Sequence, residues 1–360
     1  MTLLSTVDSD KATDIKPTDD LEQLIGSGVS VDAIVPYYNE SPASLLVTLR
    51  GLSSQSFGLN QVILVDDGSS APPDLHAILP VVKLKAVQLR LQPNGGISAA
   101  RNFGAHHSTA KYLLFVNAEI ELSPNWVGNA VHFLELNPIA GLACGQVQSS
   151  RNGLLTEWRR NYLDLRPDTW IDQTHELEWA VGHAFLMAKA QFEAIGGWDE
   201  QFRRAYEDID FCKRVHANGK KIFQVQGAVS ICHARFSLRQ LAAKQVRNRR
   251  WNLDPRYMGD PALRPLEISP AIKDFNFHSK KRFEASRKAK RWDLVLVETG
   301  VFATGYYLLI ASSLKRHVAL KGNAPISLWL ADIPTRFRRK LGRLVQKLRS
   351  RRKAEDASKS

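Results

Sequence analysis

Residues able to do chemistry stand at the ends of apolar runs in this chain. Four runs end in Asn39-Glu40, Asp66-Asp67-Gly68-Ser69, Asn117-Ala118-Glu119 and His233. Open α/β sheets bind ligands beyond the carboxyl ends of their strands, so these four clusters define a candidate site. A nucleotide needs a carboxylate or amide for its base and ribose, and donors or a cation for its pyrophosphate. Asp66 and Asp67 suit the first task. The segment from Asn94, Gly95 and Gly96 to Arg101 and Asn102 could bring an arginine and a helix start near the pyrophosphate. The pair Glu207-Asp208 could take a proton from a hydroxyl, which is a poor nucleophile until a carboxylate does so. Trp198 and Tyr206 are aromatic residues close by in sequence. Each motif also has a plainer reading. Asp-Gly pairs are often only turns, the Asn94 loop could simply cap a helix, Glu207-Asp208 beside Asp210 could be a solvated acidic face, and His233 could be a satisfied core histidine.

The elements that must position these residues can be read from hydrophobic period. Val29 to Tyr37 and Gln61 to Val65 are apolar runs, separated by Pro42 to Leu52 with Leu45, Leu46, Leu49 and Leu52 at helical spacing. Strand, helix and strand in this length make a βαβ unit and imply a parallel sheet. Val87 to Leu91 and Tyr112 to Val116 extend the sheet, with a helix over Ile97 to His107. A helix over Pro124 to Leu136 is expected to start at an Ser123 N-cap. Ala180 to Ala188 and Ile222 to Val225 complete the strands, and Gly219 closes a helix over Glu207 to Asn218.

The ordered set of motifs resembles the inverting glycosyltransferases of family 2, which have the GT-A fold. Val31 to Glu40 looks like that family's first strand, and Gln61 to Ser70 like its second. Asn94 to Gly104, Ile195 to Glu200, Tyr206 to Phe211, Gly219 to Ile222 and His233 follow in the family's order. The resemblance covers about residues 29 to 236. It implies a Rossmann-like mixed, mostly parallel sheet flanked by helices, with a C-terminal helical extension. It also implies a nucleotide-sugar donor, a divalent metal (manganese or magnesium) and a glycan or lipid-linked acceptor in envelope polysaccharide or glycolipid synthesis. Donor contacts fall to Pro36, Tyr38, Glu40, Asp66, Asp67, Asn94, Gly95, Arg101 and Asn117, with Asp67 on the base. Glu119 would hold the metal with help from His233. Asp208 would be the general base, Glu207 would orient the acceptor, and Trp198 and Tyr206 would face it. Residues 157 to 179 would border the acceptor. One departure stands out: the family's Asp-x-Asp is Asn117-Ala118-Glu119 here, which keeps the third charge and loses the first. A non-catalytic carbohydrate- or nucleotide-binding copy of the fold is the alternative. The processive members' Gln-x-x-Arg-Trp is matched only by Gln245 to Trp251 at the wrong spacing, so addition of a single sugar is expected.

Composition bounds the rest. The chain has 360 residues, 44% hydrophobic and 24% charged, as in ordinary globular proteins. Its net charge is +13, but residues 271 to 360 hold 22 Lys and Arg against 7 Asp and Glu, leaving 27 basic and 29 acidic residues before them. Positive charge is therefore a property of the last quarter. Within it, Thr335 to Lys353 sets Phe337, Leu341, Leu344, Val345 and Leu348 against ten Lys and Arg, the pattern of a helix lying on an anionic membrane rather than on nucleic acid. Leu294 to Leu314 is long enough to span a bilayer, but Glu298 argues for a buried or interfacial helix. Three scattered cysteines read as buried thiols. The start lacks a signal pattern, so a cytoplasmic enzyme peripheral to the membrane is expected. The divisions expected are a mobile tail over 1–28, the GT-A domain over 29–235, a helical extension over 236–334 and a basic amphipathic tail over 335–360.

Overall fold

A computed structural model of the chain describes residues 28–84, 86–162, 172–202, 206–251 and 268–321. The basic tail over 335–360, the first 27 residues, and 163–171 of the expected acceptor border lie outside the described residues. The chain divides into two compact units. One comprises Met1–Arg151 with Asp164–Ala234, and the other Asn152–Leu163 with Arg235–Ser360.

The first unit is built on one mixed sheet. Strands β1 (Val31–Tyr37), β2 (Gln61–Asp66), β3 (Val87–Leu91) and β4 (Tyr112–Val116) pair in parallel, in the order β3-β2-β1-β4. Every residue of β1, β2 and β4 is buried, which is why they read as unbroken apolar runs and not as alternation. Helix α1 (Pro42–Ser53) crosses from β1 to β2. It starts where the Ser41 hydroxyl accepts the Ser44 N–H and Pro42 takes the first helical position. The short α2 (Leu75–Ile78) precedes β3, and α3 (Ile97–His106) joins β3 to β4. Gly104 lets α3 lie against the sheet: a Cβ there would come within 2.5 Å of Ile34.

The sheet continues through β8 (Ala184–Ala188), β6 (Ala140–Ser149), β9 (Lys221–Cys232) and β5 (Ile120–Leu122), with β7 (His175–Leu177) on the side of β9. The expected dominance of parallel pairing holds only for β1 to β4. Beyond them β4–β8, β6–β8, β5–β9 and β7–β9 are antiparallel, and only β6–β9 is parallel.

Other boundaries differ for local reasons. Helix α4 (Trp126–Leu136) begins after Pro124, and Ser123 is not its cap. Instead the Ser123 hydroxyl accepts the Val229 N–H and donates to the Gly227 carbonyl, tying this corner to β9. The run expected as a strand from Ala180 becomes one only at Ala184, because residues 182 and 183 form a turn that serves the site. Strand β6 has no signature in sequence. It is buried on both faces and built of small residues, and a Cβ at Gly145 would stand 2.2 Å from the Trp126 indole nitrogen. Short α6 (Lys189–Ala194) and then α7 (Glu207–Ala217) complete the unit.

The second unit is helical: α5 (Leu154–Tyr162), α8 (Leu238–Trp251), α9 (Ile268–Lys288) and α10 (Trp292–Lys321). Its core packs Trp158, Leu241, Ala242, Leu294, Val297 and Val301. Glu298, the residue that argued against a membrane span, is fully buried there. It accepts from the Trp158 indole at 2.9 Å and from Arg282 Nε and Nη2 at 2.8 and 3.0 Å. A buried carboxylate is tolerated when it is paired and hydrogen-bonded in this way. No helix among the described residues is long and apolar enough to cross a membrane. Cys144, Cys212 and Cys232 are buried and form no disulfide.

Candidate active site

The loops after β1 and β2 are sewn together. Asn39, in the left-handed region at φ 57, gives its N–H to the Ser69 hydroxyl, while its side-chain oxygen accepts from the Ser70 N–H and hydroxyl. Asp66 accepts the Ser69 N–H at 3.0 Å. Asp67 is buried and accepts from Gln92 Nε2, Gly95 N, Gly96 N and Asn94 Nδ2 at 2.6, 2.8, 2.8 and 3.2 Å. Gly96 adopts φ 93 to turn its N–H toward that carboxylate. The Asn94-Gly95-Gly96 loop is thus positioned by Asp67, a coupling that sequence spacing does not reveal.

Three carboxylates converge beside this loop. Burial raises the Glu40 carboxyl above its ordinary range. The Tyr38 and Glu40 N–H groups partly oppose that, and the negative charges of Glu119 and Asp66 add to it. Tyr38 stands half exposed at the rim, and Pro36 is buried within β1 opposite Val65.

Arg101 is the centre of the site, and it is turned inward. It is 1% exposed; Nη2 donates to Asn117 Oδ1 at 2.9 Å and to the Gly182 carbonyl at 2.8 Å, and Nη1 lies 3.5 Å from Glu207. Its guanidinium covers the Trp198 ring at 4.3 Å. Burial lowers its pKa from the ordinary value, against the opposing pull of Glu207 and Asp208. The expectation that Arg101 reaches a diphosphate is therefore corrected: its charge is spent on Asn117, Gly182 and the acidic pair. Trp198 needs a like correction. It is 2% exposed, stacked on Phe211 at 3.9 Å with Arg101 over it, so no ring face is left for a sugar.

The acidic pair opens α7, where the helix dipole favours negative charge. Asp208 Oδ2 accepts the Gly182 N–H at 3.1 Å, and Oδ1 its neighbour Ile209 N–H at 2.9 Å. Burial raises the Asp208 pKa; the N–H bonds and the Arg101 charge oppose it without prevailing. Gly182 thus binds Asp208 with its N–H and Arg101 with its carbonyl. A Cβ at this position would stand 3.2 Å from Asp208 and 3.4 Å from Arg101. Tyr206 precedes α7 at φ 70, a strained conformation for a bulky residue that is held at functional turns.

Glu119 also has positive φ, at 74, and its carbonyl accepts the His233 N–H at 2.9 Å. The two expected metal ligands are therefore neighbours. His233 Nε2 lies 2.7 Å from Glu121 Oε2. A proton on Nε2 is donated to that carboxylate, and Nδ1 is the ring nitrogen that Glu121 does not engage. Among the described residues no three His, Cys, Asp or Glu side chains gather to hold a metal. Glu119 and His233 thus share a backbone hydrogen bond at the expected metal position. Asn117 does not join them, because its amide oxygen is taken by Arg101.

Sequence reasoning missed several positioning residues. Asn102 holds the 198–200 loop through both Trp198 backbone groups and Glu200, and Ser98 donates to the Phe202 carbonyl. Arg214 binds the Ile195 and Gly197 carbonyls and Asp210. Asn102 and Arg214 are long-range partners of a loop, and no local pattern marks them.

The family model for Glycosyl transferase family 2 matches residues 32–196. The chain is similar to an N-acetylglucosaminyltransferase of Sinorhizobium fredii, 31% identical over 47% of this chain and 39% of that one. It is also similar to polypeptide N-acetylgalactosaminyltransferase 8 of Drosophila melanogaster, 29% identical over 48% of this chain and 32% of that one. The chain thus spans under two fifths of the length of these curated relatives. A crystal structure of GalNAc-T7 with UDP, GalNAc and Mn2+ is similar at a TM-score of 0.48 and 14% identity, covering 69% of this chain and 54% of that one. Over residues 32–196 this chain thus resembles glycosyl transferase family 2.

Proposed function

We propose that the protein is an inverting transferase that moves one N-acetylhexosamine from a nucleoside-diphosphate donor to a hydroxyl of a glycan or lipid-linked acceptor. One observation carries this reading: Asp208 is a carboxylate with a raised pKa, fixed by the Gly182 and Ile209 N–H groups at the start of α7. A base whose pKa moves toward the working pH is the better proton acceptor. Asp208 takes the acceptor hydroxyl proton as that oxygen bonds to the anomeric carbon, and the bond from that carbon to the diphosphate breaks on the opposite side. Glu207 and Tyr206 border the acceptor. Tyr38, Glu40 and the loop that Asp67 holds form the donor side. A divalent cation held by Glu119 and His233 would neutralise the leaving diphosphate. The choice of sugar follows the names of two relatives, which transfer N-acetylglucosamine and N-acetylgalactosamine. Envelope polysaccharide is supported by a 23% similarity to the O-antigen biosynthesis protein RfbC of Myxococcus xanthus. A cytoplasmic, membrane-peripheral placement follows from the basic last quarter.

A second reading, a binding protein without turnover, is favoured by Asn117, whose amide oxygen serves Arg101 instead of a metal. Transfer from UDP-GlcNAc and UDP-GalNAc, assayed with manganese, separates the two. The wild type should turn over, and Asp208→Asn should lose about two to four orders of magnitude in rate with donor affinity nearly intact. Equal rates in the two proteins remove Asp208 from the mechanism.

A further inference from the structure

Helix α10 buries one face and exposes large apolar side chains on the opposite one. Leu294, Val297, Glu298 and Val301 point inward, each under a tenth exposed. The opposite face carries Trp292, Leu296, Thr299, Ala303 and Tyr307, spaced at i, i+4, i+7, i+11 and i+15. At 100° per residue these positions form a single stripe. Trp292, Leu296 and Tyr307 are 62%, 73% and 68% exposed. Large exposed apolar side chains grouped on one face mark a contact.

Charge selects the occupant. Helix α9, which packs on α10 in this unit, exposes Lys280, Lys281, Arg287 and Lys288 beside the acid Glu284, and Lys290 follows in the turn. Phe277, 55% exposed, lies among them with the Lys281 ammonium 4.4 Å from its ring centroid. A second copy of this face would bring like charges together. The apolar stripe of residues 335–353 comes with ten more Lys and Arg, so the same repulsion opposes it. An anionic lipid surface has the complementary charge, takes up apolar side chains, and suits tryptophan and tyrosine at its polar boundary. From position 292 to position 307 the stripe runs about 22 Å, at about 1.5 Å per residue. It is long enough to lie in the interface, while no described helix can cross it.

We infer that the outer face of α10 seats the helical unit on an anionic bilayer surface, with Trp292, Leu296 and Tyr307 in the acyl boundary and the α9 lysines and arginines on the headgroups. The inference does not depend on the transfer chemistry, and it names a docking element separate from the basic tail.

The full-length chain permits a direct test, because its three cysteines are buried. An environment-sensitive nitrobenzoxadiazole probe is attached through Leu296→Cys, and through the exposed first-unit position Leu136→Cys as control. With vesicles of equal parts phosphatidylglycerol and phosphatidylcholine, the probe at 296 should brighten several-fold and shift to the blue. It should not respond to phosphatidylcholine alone, and the control should respond to neither. In cosedimentation, the double variant Trp292→Gln/Leu296→Gln should partition onto the anionic vesicles about tenfold less or lower still, since two buried apolar side chains are lost. Three results overturn the proposal: a silent probe at 296 on vesicles that do bind the protein, a double variant that binds like wild type, or a probe signal that rises with protein concentration when no vesicles are present. The second would leave residues 335–360 as the anchor, and the third would make the face a contact between copies.

Discussion

Asp67 and Asp208 are both turned into the protein beside the candidate site, and their surroundings differ in kind. Asp67 receives four hydrogen bonds, all from residues 92 to 96. An ionised carboxylate has about four lone-pair positions, so none is left for further work. Asp208 receives two backbone N–H bonds and faces Arg101, and burial still raises its pKa. One carboxylate holds a loop in shape; the other keeps a raised pKa beside Arg101. Two acidic motifs at strand and helix ends thus look alike in sequence and separate only when donors are counted.

The largest effect that would break this contrast is structural. Asp67→Ala should destabilise the protein by about 1–3 kcal/mol, because the N–H groups of Gly95 and Gly96 lose a charged acceptor. Donor affinity should fall with it, as the loop from 92 to 96 is released. Chemical denaturation and donor titration check both. A variant with normal stability and weak donor binding would make Asp67 a direct ligand of the base instead of a loop staple.

A smaller effect tests the other side of the contrast. Arg101 opposes the rise of the Asp208 pKa through its charge. Arg101→Met should therefore raise that pKa further, and a base must be deprotonated to act. The acidic limb of kcat/KM should move to higher pH, with turnover partly recovered on the alkaline side. A loss of activity equal at every pH would show that Arg101 acts only through packing on Trp198 and Asn117.

What was legible in the sequence follows from the range of the forces involved. The strands β1, β2 and β4 were plain because both faces are buried, and α1 because Ser41 and Pro42 cap it locally. Strand β6 was hidden because Gly141, Gly145 and small neighbours carry no period; its identity comes from Trp126 and β9 packed against it. The site residues were found as residue types at strand ends, but their directions were not. Sequence offers Trp198 as a sugar platform, since nothing nearby announces Phe211 beneath it and Arg101 above it. Glu121 is silent in sequence for the same reason: its partner His233 lies 112 residues away.

The smallest effect is the most specific to Asp208. Its pKa is raised in the folded protein, so folding favours the protonated carboxyl. Stability from this group is then fully present below the unfolded aspartate value of about 3.9, and is lost as pH rises through the folded value. Above that, the ionised, desolvated carboxylate opposes folding. Asp208→Asn removes the titration and keeps the shape, although an amide oxygen cannot serve both the Gly182 and Ile209 N–H groups as two carboxylate oxygens do. That loss is present at every pH, so it sets an offset and not a slope. The stability of Asp208→Asn relative to wild type should therefore improve as pH rises from below about 3.9 to neutral, by on the order of 1 kcal/mol for each unit by which the folded pKa is raised. Urea unfolding of both proteins across this range measures it. A relative stability that falls as pH rises would mean that the Gly182 and Ile209 N–H groups and Arg101 outweigh burial, and Asp208 would then be held ionised as firmly as an ordinary salt-bridged carboxylate.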